Sequence, residues 1–176
     1  ITETANSTDL ALFVDAGVTV RMTNDTKLQN DWYLDLDGKI DLVGKSQLVQ
    51  TINSDLEVTS SGSIERDQQG QSNKFNYNYW SSPVGALSTT SNNNPYTVDS
   101  VMKDGTDPNN IKNITWVPTY DGAATNPITL SSYWIFKFQN VSPVYANWAK
   151  IGQTGSLLAG QGFTLKGSAA GTATQN

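Results

Sequence analysis

Apolar residues between positions 18 and 66 arrive in short doublets on a regular beat. Ile40, Leu48, Leu56 and Ile64 lie eight residues apart; so do Val20, Leu28 and Leu36, and so do Leu34 and Leu42. Several sit in strict alternation: Val18-Thr19-Val20, Leu34-Asp35-Leu36, Ile40-Asp41-Leu42 and Leu56-Glu57-Val58. Period-two alternation buries one face of a strand and wets the other. Turn formers separate the doublets, at Asp37-Gly38, Gly44, Asn53-Ser54-Asp55 and Ser60-Ser61-Gly62. Eight-residue spacing also suits an antiparallel meander. Strands this short are marginal as isolated hairpins, whereas stacking gives each one two neighbours. The pattern therefore favours a β-solenoid.

After residue 70 the texture changes. Phe75, Tyr77 and Tyr79 alternate with Asn76, Asn78 and Trp80, and further strands are expected at Tyr133–Phe138 and Phe163–Leu165. Long polar loops run from Ser88 to Pro95, Lys103 to Lys112 and Tyr120 to Pro127. Large rings separated by Gly, Asn and Pro turns fit a β-sandwich. The expected fold is all-β: a short β-solenoid-like stem over residues 1–70, followed by an aromatic-rich β-sandwich over 71–176. The join is expected between Arg66 and Asn73.

Composition agrees with that class. Asn, Ser and Thr number 54 of 176 residues, and Asp outnumbers Glu 13 to 3. Asp favours caps and turns while Glu favours helix, so the bias runs against helix. Net charge is −5 with two arginines, Arg21 and Arg66, which leaves no basic stripe for phosphates and no case for nucleic acid. No apolar run approaches the roughly 18 residues of a membrane helix, and no signal peptide is visible within the sequence, so a mature chain or an excised fragment is expected. The absence of cysteine fits a secreted chain without disulfides and a cytosolic one alike; the Asn/Ser/Thr richness and acidic balance lean toward an extracellular setting.

Specific segments carry a resemblance. The run Trp32-Tyr33-Leu34, then Gly38 to Gln50 (Gly-Lys-Ile-Asp-Leu-Val-Gly-Lys-Ser-Gln-Leu-Val-Gln), resembles a segment of large secreted, adhesin-like surface proteins of Bacteroidota. So do Ile64 to Gly70, Tyr77 to Val84 (Tyr-Asn-Tyr-Trp-Ser-Ser-Pro-Val), Leu130 to Trp134 and Gly160 to Gly167. The likeness covers roughly residues 30–168, and Tyr-Trp-Ser-Ser-Pro-Val is its most specific part. It implies export by the type IX secretion system, the outer-membrane secretion machinery as a partner, and a place on the bacterial cell surface. It also implies more chain beyond residue 165, so the sequence reads as a fragment. Asp99-Ser100-Val101 resembles the O-glycosylation pattern of the same bacteria, which makes Ser100 a candidate modification site.

Catalytic chemistry is narrowed by composition. With no histidine and no cysteine, Ser-His-Asp hydrolysis, thiol catalysis and zinc–thiolate sites are excluded. Carboxylate-pair glycosidases stay open in principle, but no acid sits in an apolar run that would raise its pKa. A non-enzyme is expected. Gly38 to Gly44 with Lys45-Ser46 has five residues between its glycines where a phosphate loop needs four. Asp35, Asp37 and Asp41 around Gly38 are calcium candidates, yet an EF-hand register with Gly38 sixth puts Tyr33 first and Gly44 twelfth. Their other reading is as outward partners of Leu34, Leu36 and Leu42, which would discourage edge pairing. Trp116, Tyr120, Tyr145 and Trp148 are candidates for stacking against surface glycans, set against a role in the core. The expected function is a non-catalytic structural and adhesive segment of a secreted surface protein. The alternatives are a carbohydrate-binding module of a glycan-degrading enzyme and a fragment of a type IX secretion cargo.

Overall fold

The computed structural model describes residues 1–88, 90–91, 94–139, 147–169 and 174–175. It is almost entirely β. The chain divides into two units, one of residues 1–68 with 87–92, the other of 69–86 with 93–176.

The first unit is a solenoid of about three coils. Its strands are β1 (Thr2–Glu3), β2 (Ser7–Val14), β3 (Thr19–Met22), β4 (Lys27–Leu36), β5 (Lys39–Leu42), β6 (Gln47–Gln50), β7 (Asp55–Leu56) and β8 (Ser63–Arg66). They form two parallel sheets, β1-β3-β5-β8 and β2-β4-β6, with β7 also on β4. Successive coils stack like on like: Val20 beside Ile40 beside Ile64, Leu12 beside Leu34 beside Leu56, Leu28 beside Leu48. These inward residues make a wholly aliphatic and methionine core, with Met22 and Ile40 fully buried. The eight-residue beat of the sequence is thus the step from one straight stretch of a coil to the next, usually a new strand but, from Leu28 to Leu36, across the corner inside β4. The coil itself is longer: bonds between neighbouring coils span 20 residues at Thr26–Ser46 and 24 at Leu36–Ser60.

Polar turns lock the coils. Asn6 accepts from the Lys27 amide at 2.8 Å and Asp25 from the Lys45 amide at 2.8 Å, each one coil on. At another corner Gly62 lies against Gly38: a Cβ on Gly62 would sit 2.2 Å from the Gly38 carbonyl oxygen. A third corner interrupts the long strands. Between paired positions there lie Leu10 in the first coil, Asp31 and Trp32 in the second, and Thr51 to Ser54 in the third. The fully buried Asn30 braces this corner, donating to the Tyr33 carbonyl at 2.7 Å and accepting from the Ser54 hydroxyl.

The second unit contains β9 (Gly70–Gln71), β10 (Tyr77–Ser81), one helical turn α1 (Val98–Val101), β11 (Lys103–Asp104), β12 (Lys112–Asn113), β13 (Thr115–Val117), β14 (Thr129–Ser131), β15 (Phe136–Gln139), β16 (Asn147–Lys150), β17 (Gly162–Lys166) and β18 (Thr174–Gln175). One layer is a four-stranded antiparallel sheet, β10-β17-β15-β16. The parallel pair β13–β14 and α1 contribute Leu130 and Val98 to a core shared with Phe163 and Leu165 of that sheet. Unlike the solenoid, this core holds rings: Tyr96 is almost fully buried, packs edge-on to Phe163, and donates its hydroxyl to the Gln161 carbonyl at 2.5 Å. Buried Asp104 ties two elements together, accepting from the Ile128 amide at 2.8 Å and from the Thr106 amide and hydroxyl. Phe75, expected in a strand, lies in the turn before β10, and Tyr133 and Trp134 precede β15. Phe75 is held there because its amide donates to the Asn73 side chain at 2.9 Å, a local turn that outcompetes the ladder.

Candidate functional site

Alternation in the four-stranded sheet sorts its side chains into two faces. Directly opposed residues of an antiparallel pair share a face. Trp80 opposes Phe163 and Asn78 opposes Leu165; Trp80, Phe163 and Leu165 turn to the core. The other face carries Tyr77 opposite Lys166, Tyr79 opposite Thr164, Phe138 opposite Trp148 and Phe136 opposite Lys150. Of its rings, Tyr79 is 71% exposed, Phe138 47% and Trp148 45%.

These exposed rings come from different strands and meet above the sheet. Tyr79 on edge strand β10 lies 6.4 Å from Trp148 on the opposite edge strand, centroid to centroid, and Phe138 lies 5.3 Å from Trp148. Strand β17, next to β10, leaves room for the rings because its outer positions Gly162 and Thr164 are small. Thr164 turns its hydroxyl into the sheet, donating to the Trp134 carbonyl at 2.9 Å, and Gly162 has no side chain.

A second ring cluster continues the face. Tyr77 stands edge-on to Trp134 at 6.4 Å, and Trp134 adjoins Tyr120 and Tyr133 at 5.9 and 4.8 Å. The Trp134 indole N–H donates to the Tyr120 carbonyl at 2.7 Å, which fixes the ring. Two ammonium groups lie on these rings: Lys166 Nζ is 3.9 Å from the Trp134 centroid, and Lys150 Nζ is 3.4 Å from that of Tyr133. Burial, and then the neighbouring Tyr79, push the Tyr77 phenol above its ordinary value, so it stays a neutral hydroxyl at physiological pH. The four strands contain three lysines and no acid, in a chain whose acids outnumber its bases 16 to 11. Neither Lys150 nor Lys166 has a carboxylate within ion-pair distance among the described residues, whereas nearby Asp121 is taken up by Lys74 at 3.0 Å.

The residues singled out from the sequence scatter over this frame. Trp148 is on the exposed face and Tyr120 belongs to the second cluster. Trp116 on β13 is half-buried against the core and lines a shallow depression with Asp99, Ser100 and Lys103. Tyr145 lies outside the described residues. Ser100 is exposed, but its hydroxyl closes the α1 capping box, donating to the Thr97 carbonyl at 2.7 Å and accepting from its amide. Asp37 accepts from the amide and hydroxyl of Ser61 in the next coil, which lowers its carboxyl pKa. Asp41 pairs with Arg21 at 3.5 Å on the other sheet, and Asp35 lies on β4 opposite Phe13. Among the described residues no three acids converge as a metal site would require. Sequence reasoning missed Tyr79 and Phe138 as surface residues. The Tyr77-Asn78-Tyr79 alternation was the available signal, but alternation does not say which face is wet.

Compared with known proteins, the chain matches no family model, and no curated protein or solved structure is significantly similar to it. Among the described residues no helix is long and apolar enough to cross a membrane.

Proposed function

We propose that the chain is a non-catalytic structural and adhesive segment of a secreted bacterial surface protein. In this reading the solenoid is a stiff element, because every coil is bonded to its neighbour by two parallel ladders and by side-chain bonds at its turns. The second unit supplies the contact surface. The observation that carries the proposal is the outer face of β10-β17-β15-β16, where Tyr79, Phe138 and Trp148 expose large rings that a folding core would otherwise bury. Sequence resemblance supplies the expected route and place: type IX secretion, with the outer-membrane machinery as partner, to the cell surface.

The same face suits a second reading, a carbohydrate-binding module carried by a glycan-degrading enzyme, since sugar rings stack on flat aromatic faces. Retention on immobilised glycans tests the contact surface under both readings. Tyr79→Ala with Trp148→Ala should abolish retention while the melting temperature holds. Retention unchanged by that pair would remove this face from the proposal. A hydrolase domain encoded in the same gene would favour the second reading, and tandem copies of this segment the first.

A further inference from the structure

We infer that the outer face of β10-β17-β15-β16 binds an acidic polysaccharide, with sugar rings on Tyr79, Phe138 and Trp148 and sugar carboxylates at Lys150 and Lys166. The inference rests on reading this unit as a binding module and adds the class of its ligand. Exposed rings alone would serve a neutral glycan equally well. Charge makes the difference: of the sheet's three lysines Lys137 opposes Phe163 on the core side, but Lys150 and Lys166 both lie on the outer face, and the four strands contain no acid in a chain of net charge −5. A local positive field within an acidic molecule draws anions to that face and repels them elsewhere.

The lysines are also placed in advance. Resting on Tyr133 and Trp134, their ammonium groups lose less freedom on meeting an anion than free side chains would. An ammonium over a ring still directs N–H donors outward, and those donors are not taken up by any carboxylate among the described residues. The balance of groups narrows the ligand further. Rings outnumber cations along the face, which fits a polymer with one carboxylate per sugar, a polyuronide, better than a densely sulfated chain. Tyr77 and Tyr79 are two residues apart on one strand, so the two ring clusters lie about 7 Å apart along it. That spacing favours an extended chain over a single sugar.

The test is titration calorimetry of the intact chain with polygalacturonate, dextran sulfate and neutral dextran, at low salt and at roughly 0.5 M, where charges are screened beyond a few ångströms. Polygalacturonate should bind, more weakly at high salt. Lys150→Gln and Lys166→Gln should each weaken it about tenfold, and Trp148→Ala at least about tenfold, while Lys45→Gln in the solenoid leaves it unchanged. Circular dichroism on each variant establishes that it folds. Equal binding of neutral dextran, untouched by the lysine variants, would overturn the acidic ligand and leave the binding module standing. Tighter binding of dextran sulfate, insensitive to Trp148→Ala, would overturn the inference as mere ion exchange. Binding of none of the three would overturn it as well; the module reading falls with it only if Tyr79→Ala with Trp148→Ala also leaves retention on the wider glycan set unchanged.

Discussion

The solenoid and the second unit are both built from β-strands, yet they fill their interiors differently. Within the first, the buried apolar positions are Val, Leu, Ile and Met, and its large rings Phe13, Trp32 and Tyr33 lie outside the core. Within the second, Tyr96 and Phe163 are buried and Trp80 and Trp116 pack against the same core. Parallel coils bring each residue beside its own counterpart, strand spacing being only about 4.8 Å. A column such as Val20–Ile40–Ile64 therefore takes residues of similar, modest width. Antiparallel strands with long returns bring unlike residues together, so a ring can fill the space beside a glycine or threonine. Where the second unit has rings to spare, it displays them.

Mutations can sharpen this contrast, with hydrogen exchange of peptides from each unit as the readout. The largest effect is expected at Ile40→Ala, since Ile40 is fully buried between two stacked neighbours. It should cost about 2–5 kcal/mol and loosen peptides of residues 1–68 while those of 93–139 keep their protection. Equal loosening of both would mean that the units do not fold separately. Next is Gly62→Ala, where a Cβ would overlap the Gly38 carbonyl; about 1–3 kcal/mol of lost stability is expected, confined to the solenoid. Comparable in size but opposite in place, Asp104→Asn puts an amide where a carboxylate accepts from Ile128 and Thr106. It should destabilise the second unit by about 1–3 kcal/mol, read by denaturant melts.

The smallest difference is in acid response. Burial raises the Asp104 pKa, but hydrogen bonds from Thr106 and Ile128 and the charge of Lys112 outweigh it, so the net shift is downward. A lowered folded pKa contributes stability that is complete above the unfolded value near 3.9 and is lost as pH falls through the folded one. In the solenoid, Asp37 and Glu57 are also lowered, but Asp67 is raised by burial and by Glu65 and Asp41, and acts in the opposite sense. Below about pH 4, denaturant melts should therefore show the second unit losing stability, with that loss reduced by Asp104→Asn. An unchanged pH dependence in Asp104→Asn would discount this carboxylate as the source of the acid response.

Strands were legible from alternation such as Leu34-Asp35-Leu36, which a meander would share; the shortness of the doublets tipped the reading to a solenoid. What the beat did not disclose was the coil. Eight residues fit a strand and a corner, and only the register of Thr19 with Lys39 or Lys39 with Ser63 reveals how many corners complete a circuit. The site was less visible still. Trp148 was one of four rings weighed between glycan contact and the core, while Tyr79 and Phe138 lie on its face because of strand order, and no local pattern places β10 two strands away from β15. The turn acids misled in a different way: Asp37 looks like a ligand in sequence, while in space it accepts from Ser61 and holds two coils together.

The widening corner of the solenoid has a consequence for engineering. One residue, then two, then four are looped out there and pairing resumes beyond each, over four residue pairs between the first two coils and two between the second and third, and Ile52 in the widest loop is fully exposed. The coils of this one chain already differ in length at this corner, so foreign peptides could be grafted between Thr51 and Ser54 and displayed at a fixed height along the stack.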